Sequence, residues 1–190
     1  MIDRLARVPV AVVAAALVLG GVLADVHAFV VVPAVRDSGV EPAQWMARVG
    51  IMLYFLILPL ALLAVWARRR QHLGRAGLVA AVLMAVQVPC YVVLMLAGLV
   101  WGLLLGRGDL GSTVLLVHDV GVTAFYLGVV VLAVRMLMVG RATALLGGLL
   151  LGGFVVSFFV PFGLAAALVA FAAAFLVQEV GSARVLSPAH

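Results

Sequence analysis

All twelve basic side chains of this 190-residue chain are arginines, and they stand at the borders of apolar stretches long enough to cross a bilayer. A hydrocarbon core about 30 Å thick takes about 20 apolar residues of helix, and lipid offers a bare peptide group no partner, so such stretches fold as helices. The sequence predicts six of them, at about 9–32, 45–67, 78–105, 113–135, 142–160 and 164–177. If all six cross, Arg4, Arg7, Arg68, Arg69, Arg70, Arg75, Arg135, Arg141 and Arg184 share one side, and Arg36, Arg48 and Arg107 share the other. Short cytoplasmic loops carry the excess of basic residues, so both termini are expected inside.

With 67% hydrophobic and 10% charged residues, the chain has too little polar surface to coat a soluble globule. The net charge of +5 is explained by orientation and lipid headgroups, and no nucleic-acid partner is expected. The single cysteine, Cys90, excludes an intrachain disulfide, a Cys-rich zinc site and a CxxC redox pair. Two arginines before an apolar run resemble a secretory signal, and Val26-His27-Ala28 offers small residues for cleavage. The run from Pro9 to Val32 is longer than a signal core and further spans follow it, so a retained helix is expected.

Details along the chain refine this layout. Pro9 and Pro33 bracket the first helix, and the charged, turn-rich stretch 34–44 makes an outside loop. Trp45 and Trp66 are expected at the two lipid boundaries of the second helix, and Pro59 kinks its middle. Arg68-Arg69-Arg70, His72 and Arg75 form the strongest basic loop. Small residues three or four apart, at Gly98, Gly102 and Gly106, at Gly121, Ala124 and Gly128, and at Gly148 and Gly152, offer faces for helix contacts within the chain or between copies or subunits. Val160-Pro161-Phe162-Gly163 is an uncharged turn and the last apolar stretch is short, so the final two helices read either as two crossings or as a re-entrant hairpin.

Ionisable groups in hydrocarbon usually face the bundle interior and mark function. Asp25 and His27 on the first, outward-running helix and His118 and Asp119 on the fourth, inward-running one fall at a similar depth in the outer third of the membrane. Gln87 and Tyr91 share a face of the third helix, and Tyr54 lies in the outer half of the second. Asp25 and His27 diverge by about 200° around a helix, so they cannot face one point. Asp119, Thr123 and Tyr126 form a stripe. The candidate catalytic pair is therefore Asp25 and Asp119, both turned inward, with His27, His118, Tyr54, Gln87, Tyr91, Thr123 and Tyr126 as binding residues.

Several chemistries use such a set. A desolvated carboxyl favours its neutral form, which suits general-acid catalysis on an isoprenoid-like or lipid substrate, or binding of an amphiphilic or proton-coupled small molecule. Two histidines on facing helices suit haem b, and two Asp with two His suit a metal, although divergent side chains weigh against the latter. A structural Asp–His contact between helices is the bland alternative. No cofactor or metal is predicted. Gln178 and Glu179 read as a solvated terminus, His72 and His190 as exposed, and Met136, Met138, Phe154, Phe158, Phe159, Phe171 and Phe175 as packing or lipid-facing residues. Walker, HExxH and GxSxG motifs are absent from the sequence.

His118-Asp119-Val120-Gly121, then Phe125-Tyr126-Leu127-Gly128, Arg135 and Gly140-Arg141 before a glycine-rich helix, resemble an uncharacterised family of bacterial six-helix integral membrane proteins, a domain of unknown function. A proline often found in that family before the basic residue of the fifth helix is absent here. The resemblance implies six helices and supplies no activity. The expectation is one all-α domain spanning residues 1–190, a multi-pass bundle in a bacterial cytoplasmic membrane. Its leading function is an outward-opening polar pocket for a small amphiphile. An intramembrane enzyme, a structural or assembly subunit and a haem b electron-transfer protein remain as alternatives.

Overall fold

The computed structural model describes residues 2–34, 53–98, 100, 112–157 and 159–185. Trp45, Gly102, Gly106 and the three arginines expected outside, Arg36, Arg48 and Arg107, lie beyond the described residues. Among the described residues the regular elements are all helical. A short α1 (Ile2–Ala6) leads into α2 (Val10–Val26), which begins straight after Pro9. The first turn of a helix needs no N–H from the residue at its start, so proline fits there. From His27 to Val31 the helix widens into a π turn before running on to Ala34.

Tyr54–Gly98 is one unbroken run of helical hydrogen bonding except at Gly74, whose φ of 60° and ψ of −152° divide it into α3 (54–73) and α4 (75–98). That backbone region is open to glycine almost alone. The chain folds back there, because Gly77 of α4 lies against the Trp66 indole of α3: a Cβ on Gly77 would stand 3.2 Å from Nε1. Trp66 is therefore buried between two helices, only 5% exposed, instead of marking the lipid boundary. The predicted basic loop is also absorbed, since Arg68, Arg69, Arg70, His72 and Arg75 are all helical. Pro59 and Pro89 sit inside these helices.

α5 (Ser112–Val139) and α6 (Arg141–Val156) are joined at Gly140, with φ 155° and ψ 162°, again a conformation that excludes side chains. α7 (Gly163–Val185) closes the chain. Among the described residues, four runs are long and apolar enough to cross a membrane: Val10–Ala34, Tyr54–Gly98, Leu116–Val139 and Gly163–Gly181. The last helix thus runs well beyond the predicted 164–177, and the shorter apolar element is α6, at Thr143–Val156.

Close backbone approach joins α4 to α5. A Cβ on Gly121 would come within 2.7 Å of Gln87 Oε1, and one on Gly128 within 2.8 Å of the Ala80 carbonyl, so the face predicted at Gly121 and Gly128 packs as expected. On α6 the contact within the chain falls one residue away from the predicted face. Gly148 and Gly152 are exposed, with almost open space beside them, whereas Gly147 meets the Ala133 carbonyl and Leu137 of α5. A small-residue spacing names a face only to within one residue of rotation, about 100°.

Arginines tie one end of the bundle together. Arg68 donates to the Val8 carbonyl before α2 and to Glu179 of α7 (3.4 Å). Arg69 donates to Gln178 (2.9 Å) and Glu179 (3.1 Å) of α7 and to Thr143 of α6 (3.4 Å), with its guanidinium 5.7 Å from the Phe175 ring centre. Arg70 pairs with Asp3 of α1 at 2.9 Å, and Arg135 of α5 donates to the Leu73 carbonyl at 3.0 Å. Glu179 and Gln178 are thus half-buried partners of two arginines and not a solvated end. The arginine that meets Leu73 serves an orphan carbonyl at the last turn of α3, where a cation also suits the helix dipole.

Gly74→Ala and Gly140→Ala are each expected to lower unfolding stability in detergent by about 1–3 kcal/mol, because alanine cannot occupy those backbone angles without strain. Gly152→Ala, on an open helical surface, is expected to leave it unchanged or raise it slightly. Denaturant titration followed by circular dichroism measures both.

Candidate functional site

At the end of the bundle opposite the arginines, α7 starts in an awkward way. Its first intrahelical bond runs from the Ala166 N–H to the Phe162 carbonyl (3.1 Å), which makes Phe162 the N-cap residue. Phe162 has φ 60°, an outlying conformation for a bulky residue, and its side chain offers no oxygen to the first-turn N–H groups. Asp25 of α2 supplies one. The Ala165 N–H donates to Asp25 Oδ2 at 2.7 Å, so a neighbouring helix performs the capping that Asp, Asn or Ser normally performs locally. The anion also lies where the helix dipole is positive. Phe29, in the π turn, meets Phe162 at 6.0 Å between ring centres and closes the same corner.

Asp25 and His27 both turn inward, yet to different neighbours. Asp25, 3% exposed, faces α7; His27, 9% exposed, faces α3, where its Nδ1 and the Tyr54 hydroxyl share a hydrogen bond of 3.3 Å. The wide angle between them, read from sequence, is thus accommodated because α2 packs against both α3 and α7.

Beside Asp25 lies a partly open cavity of about 200 Å³, lined by residues of α2, α3, α5, α6 and α7. Asp25, Tyr54, Tyr126 and Ser157 carry its polar groups, and Phe29, Phe125 and Phe154 line it with rings. Leucines from α3 and α7, among them Leu58, Leu62 and Leu168, complete the wall. The Tyr126 ring stands 5.2 Å from Phe154 and 5.6 Å from Phe125, so the rings pack as one aromatic wall. The Ser157 hydroxyl donates to the Phe154 carbonyl (2.7 Å).

Of the predicted set, Asp25, Tyr54 and Tyr126 meet at this cavity, and His27 joins through Tyr54. The rest do not. Asp119 and Thr123 are exposed on α5, so the expected inward pairing of Asp25 with Asp119 is not formed. On a continuous helix Asp119 diverges by about 100° from each adjacent residue, and His118 is the one that turns toward the bundle. His118 is half-buried, with its ring edge-on to Phe55 at 5.2 Å. Tyr91 lies 6.3 Å from Phe55, and Tyr54 4.2 Å, so a run of ring contacts through Tyr54 and Phe55 links His27 to His118. Gln87 is fully buried against Gly121, with no hydrogen-bond partner for its amide among the described residues. Neither it nor Tyr91 lines the cavity.

Ser157, Phe154 and the Ala165 N–H were not foreseen as parts of this site. A signal for the last was present: Val160-Pro161-Phe162-Gly163 contains no Ser, Thr, Asp or Asn to cap the helix it precedes. No protein-family model, curated protein or solved structure matches the chain.

The bond from Ala165 sets an expectation for Asp25. Asp25→Ala removes the cap and is expected to lower stability by about 0.5–2 kcal/mol, whereas Asp25→Asn keeps an acceptor oxygen and is expected to stay close to the parent. Unfolding midpoints of the two variants in the same micelle decide it.

Proposed function

We propose that the chain is an integral protein of the cytoplasmic membrane that holds a small amphiphilic molecule in the cavity beside Asp25. In this reading the bundle crosses six times, the arginine-tied end faces the cytoplasm, and the cavity lies beneath the outer surface. The gathering of Arg68, Arg69, Arg70 and Arg135 at one end supports that orientation, since basic residues are retained on the cytoplasmic side. α7 and the α3–α4 pair, divided at Gly74, support the crossings by their length.

One observation carries the binding reading: a largely apolar, ring-lined cavity that contains a carboxylate and three hydroxyls, Tyr54, Tyr126 and Ser157. Binding sites for small molecules have this composition, an apolar wall with a few convergent polar groups. A second carboxyl beside Asp25 would have strengthened the acid–base enzyme and the binding pocket alike. With Asp119 exposed, one remains, and binding is the function the geometry favours.

Two experiments test this. With Cys90 replaced by alanine, His72→Cys is expected to react with a membrane-impermeant maleimide only after the cells are opened, and Phe159→Cys in intact spheroplasts; the reverse pattern would invert the orientation. Ala24→Leu places three extra carbons at the cavity wall. Mass spectrometry of organic extracts is expected to find a small amphiphile with the parent protein and not with Ala24→Leu, and identical extracts would count against the pocket.

A further inference from the structure

We propose that the cavity selects a cationic amphiphile, one whose head is an amine or quaternary ammonium group seated between the Asp25 carboxylate and the faces of the surrounding rings. The inference rests on the binding reading above and narrows it to one ligand chemistry.

The charge of the lining comes first. Among the described residues, Asp25 is its carboxylate and no arginine or histidine side chain lines the cavity with it. The arginines whose contacts are described, at 68, 69, 70 and 135, are engaged at the opposite end of the bundle. Asp25 has its Ala165 hydrogen bond and the positive end of α7, which hold one oxygen in place. Neither brings a full positive charge into the apolar chamber, and a buried carboxylate is most stable when a cation is paired with it.

The wall is the second observation, independent of the first. Tyr54, Tyr126, Phe29, Phe125 and Phe154 line the chamber, Tyr54 and Phe125 buried and Phe29 and Tyr126 each 38% exposed. Ring faces carry the negative part of the aromatic quadrupole and attract ammonium ions, most strongly where water is excluded. A neutral alcohol gains nothing from those faces, and a fatty acid would set a second anion beside Asp25. The volume of about 200 Å³ admits a head group with a short apolar portion. Leu58, Leu62 and Leu168 provide the surface for that portion.

The test uses two probes of one shape, benzyltrimethylammonium and its uncharged isostere neopentylbenzene, titrated calorimetrically into the purified full chain in dodecyl maltoside micelles. The parent is expected to bind both, and Asp25→Asn to weaken the ammonium by about tenfold or more while leaving neopentylbenzene unchanged. Asparagine retains the acceptor for Ala165, so the variant should fold. Tyr126→Leu keeps the wall apolar and removes one ring, and it is expected to weaken the ammonium selectively as well. Ala24→Leu should abolish binding of both probes, which locates them in the cavity. If both probes bind and neither Asp25→Asn nor Tyr126→Leu separates them, or if only neopentylbenzene binds, the pocket stands and its preference for cations is overturned. If neither probe binds the parent, both this inference and the binding reading fall.

Discussion

A helix that begins or ends inside an apolar bundle carries peptide groups that no water can reach, and the whole arrangement depends on how those groups are met. Two charged side chains meet them from neighbouring helices. Asp25 accepts from Ala165 in the first turn of α7, and Arg135 donates to Leu73 in the last turn of α3. Each has the sign that the local helix end favours, an anion at an N-terminus and a cation at a C-terminus. Because the partners come from α2 and α5, each contact also fixes one helix against another. The two lie at opposite ends of the bundle, so together they hold the helices against sliding.

The turns follow a related economy of chain. Gly74 and Gly140 each reverse direction in a single residue, in backbone regions that exclude a side chain. Short connections keep α3 beside α4 and α5 beside α6. They also bring Arg68, Arg69, Thr143 and Glu179 to the same end, where one carboxylate is shared by two guanidinium groups. Partly buried pairs of this kind lose little to solvent screening, in contrast to the more exposed Arg70–Asp3 contact.

Much of the fold was legible because apolar stretches long enough to cross a membrane allow few solutions. The first helix, the small-residue face at Gly121 and Gly128 and the divergence of Asp25 from His27 all follow from hydropathy and helical rotation. Other features depended on tertiary contacts that spacing cannot supply. Arg68, Arg69 and Arg70 read as a loop, yet their charges are met by Glu179, Gln178, Asp3 and Val8, which lets the helix continue through them. Trp66 read as a boundary residue until Gly77 was seen to open a place for its ring. In the candidate site, which helices carry the polar groups was legible and the direction of each side chain was not. His118 and Asp119 are adjacent, and only the packing of α5 against Phe55 decides that the histidine turns in and the acid turns out.

The identity of residue 25 is the point at which architecture and function meet. As a cap alone, Asn or Ser would serve about as well as Asp, and the dipole adds only about 0.3–1 kcal/mol for a charge, up to about 2 when partly buried. An ionised side chain at mid-membrane costs about 2.5–3.5 kcal/mol on insertion scales, less toward the ends. Capping therefore accounts for an oxygen at this position more fully than for a charge. What distinguishes the aspartate from a neutral cap is the chamber it borders, where rings and hydroxyls surround a negative group that is already locked in orientation by its bond to Ala165. In the proposed binding reading, a carboxylate held in this way would lose little freedom when a ligand arrives, so the bond that secures the start of α7 would also prepare the site.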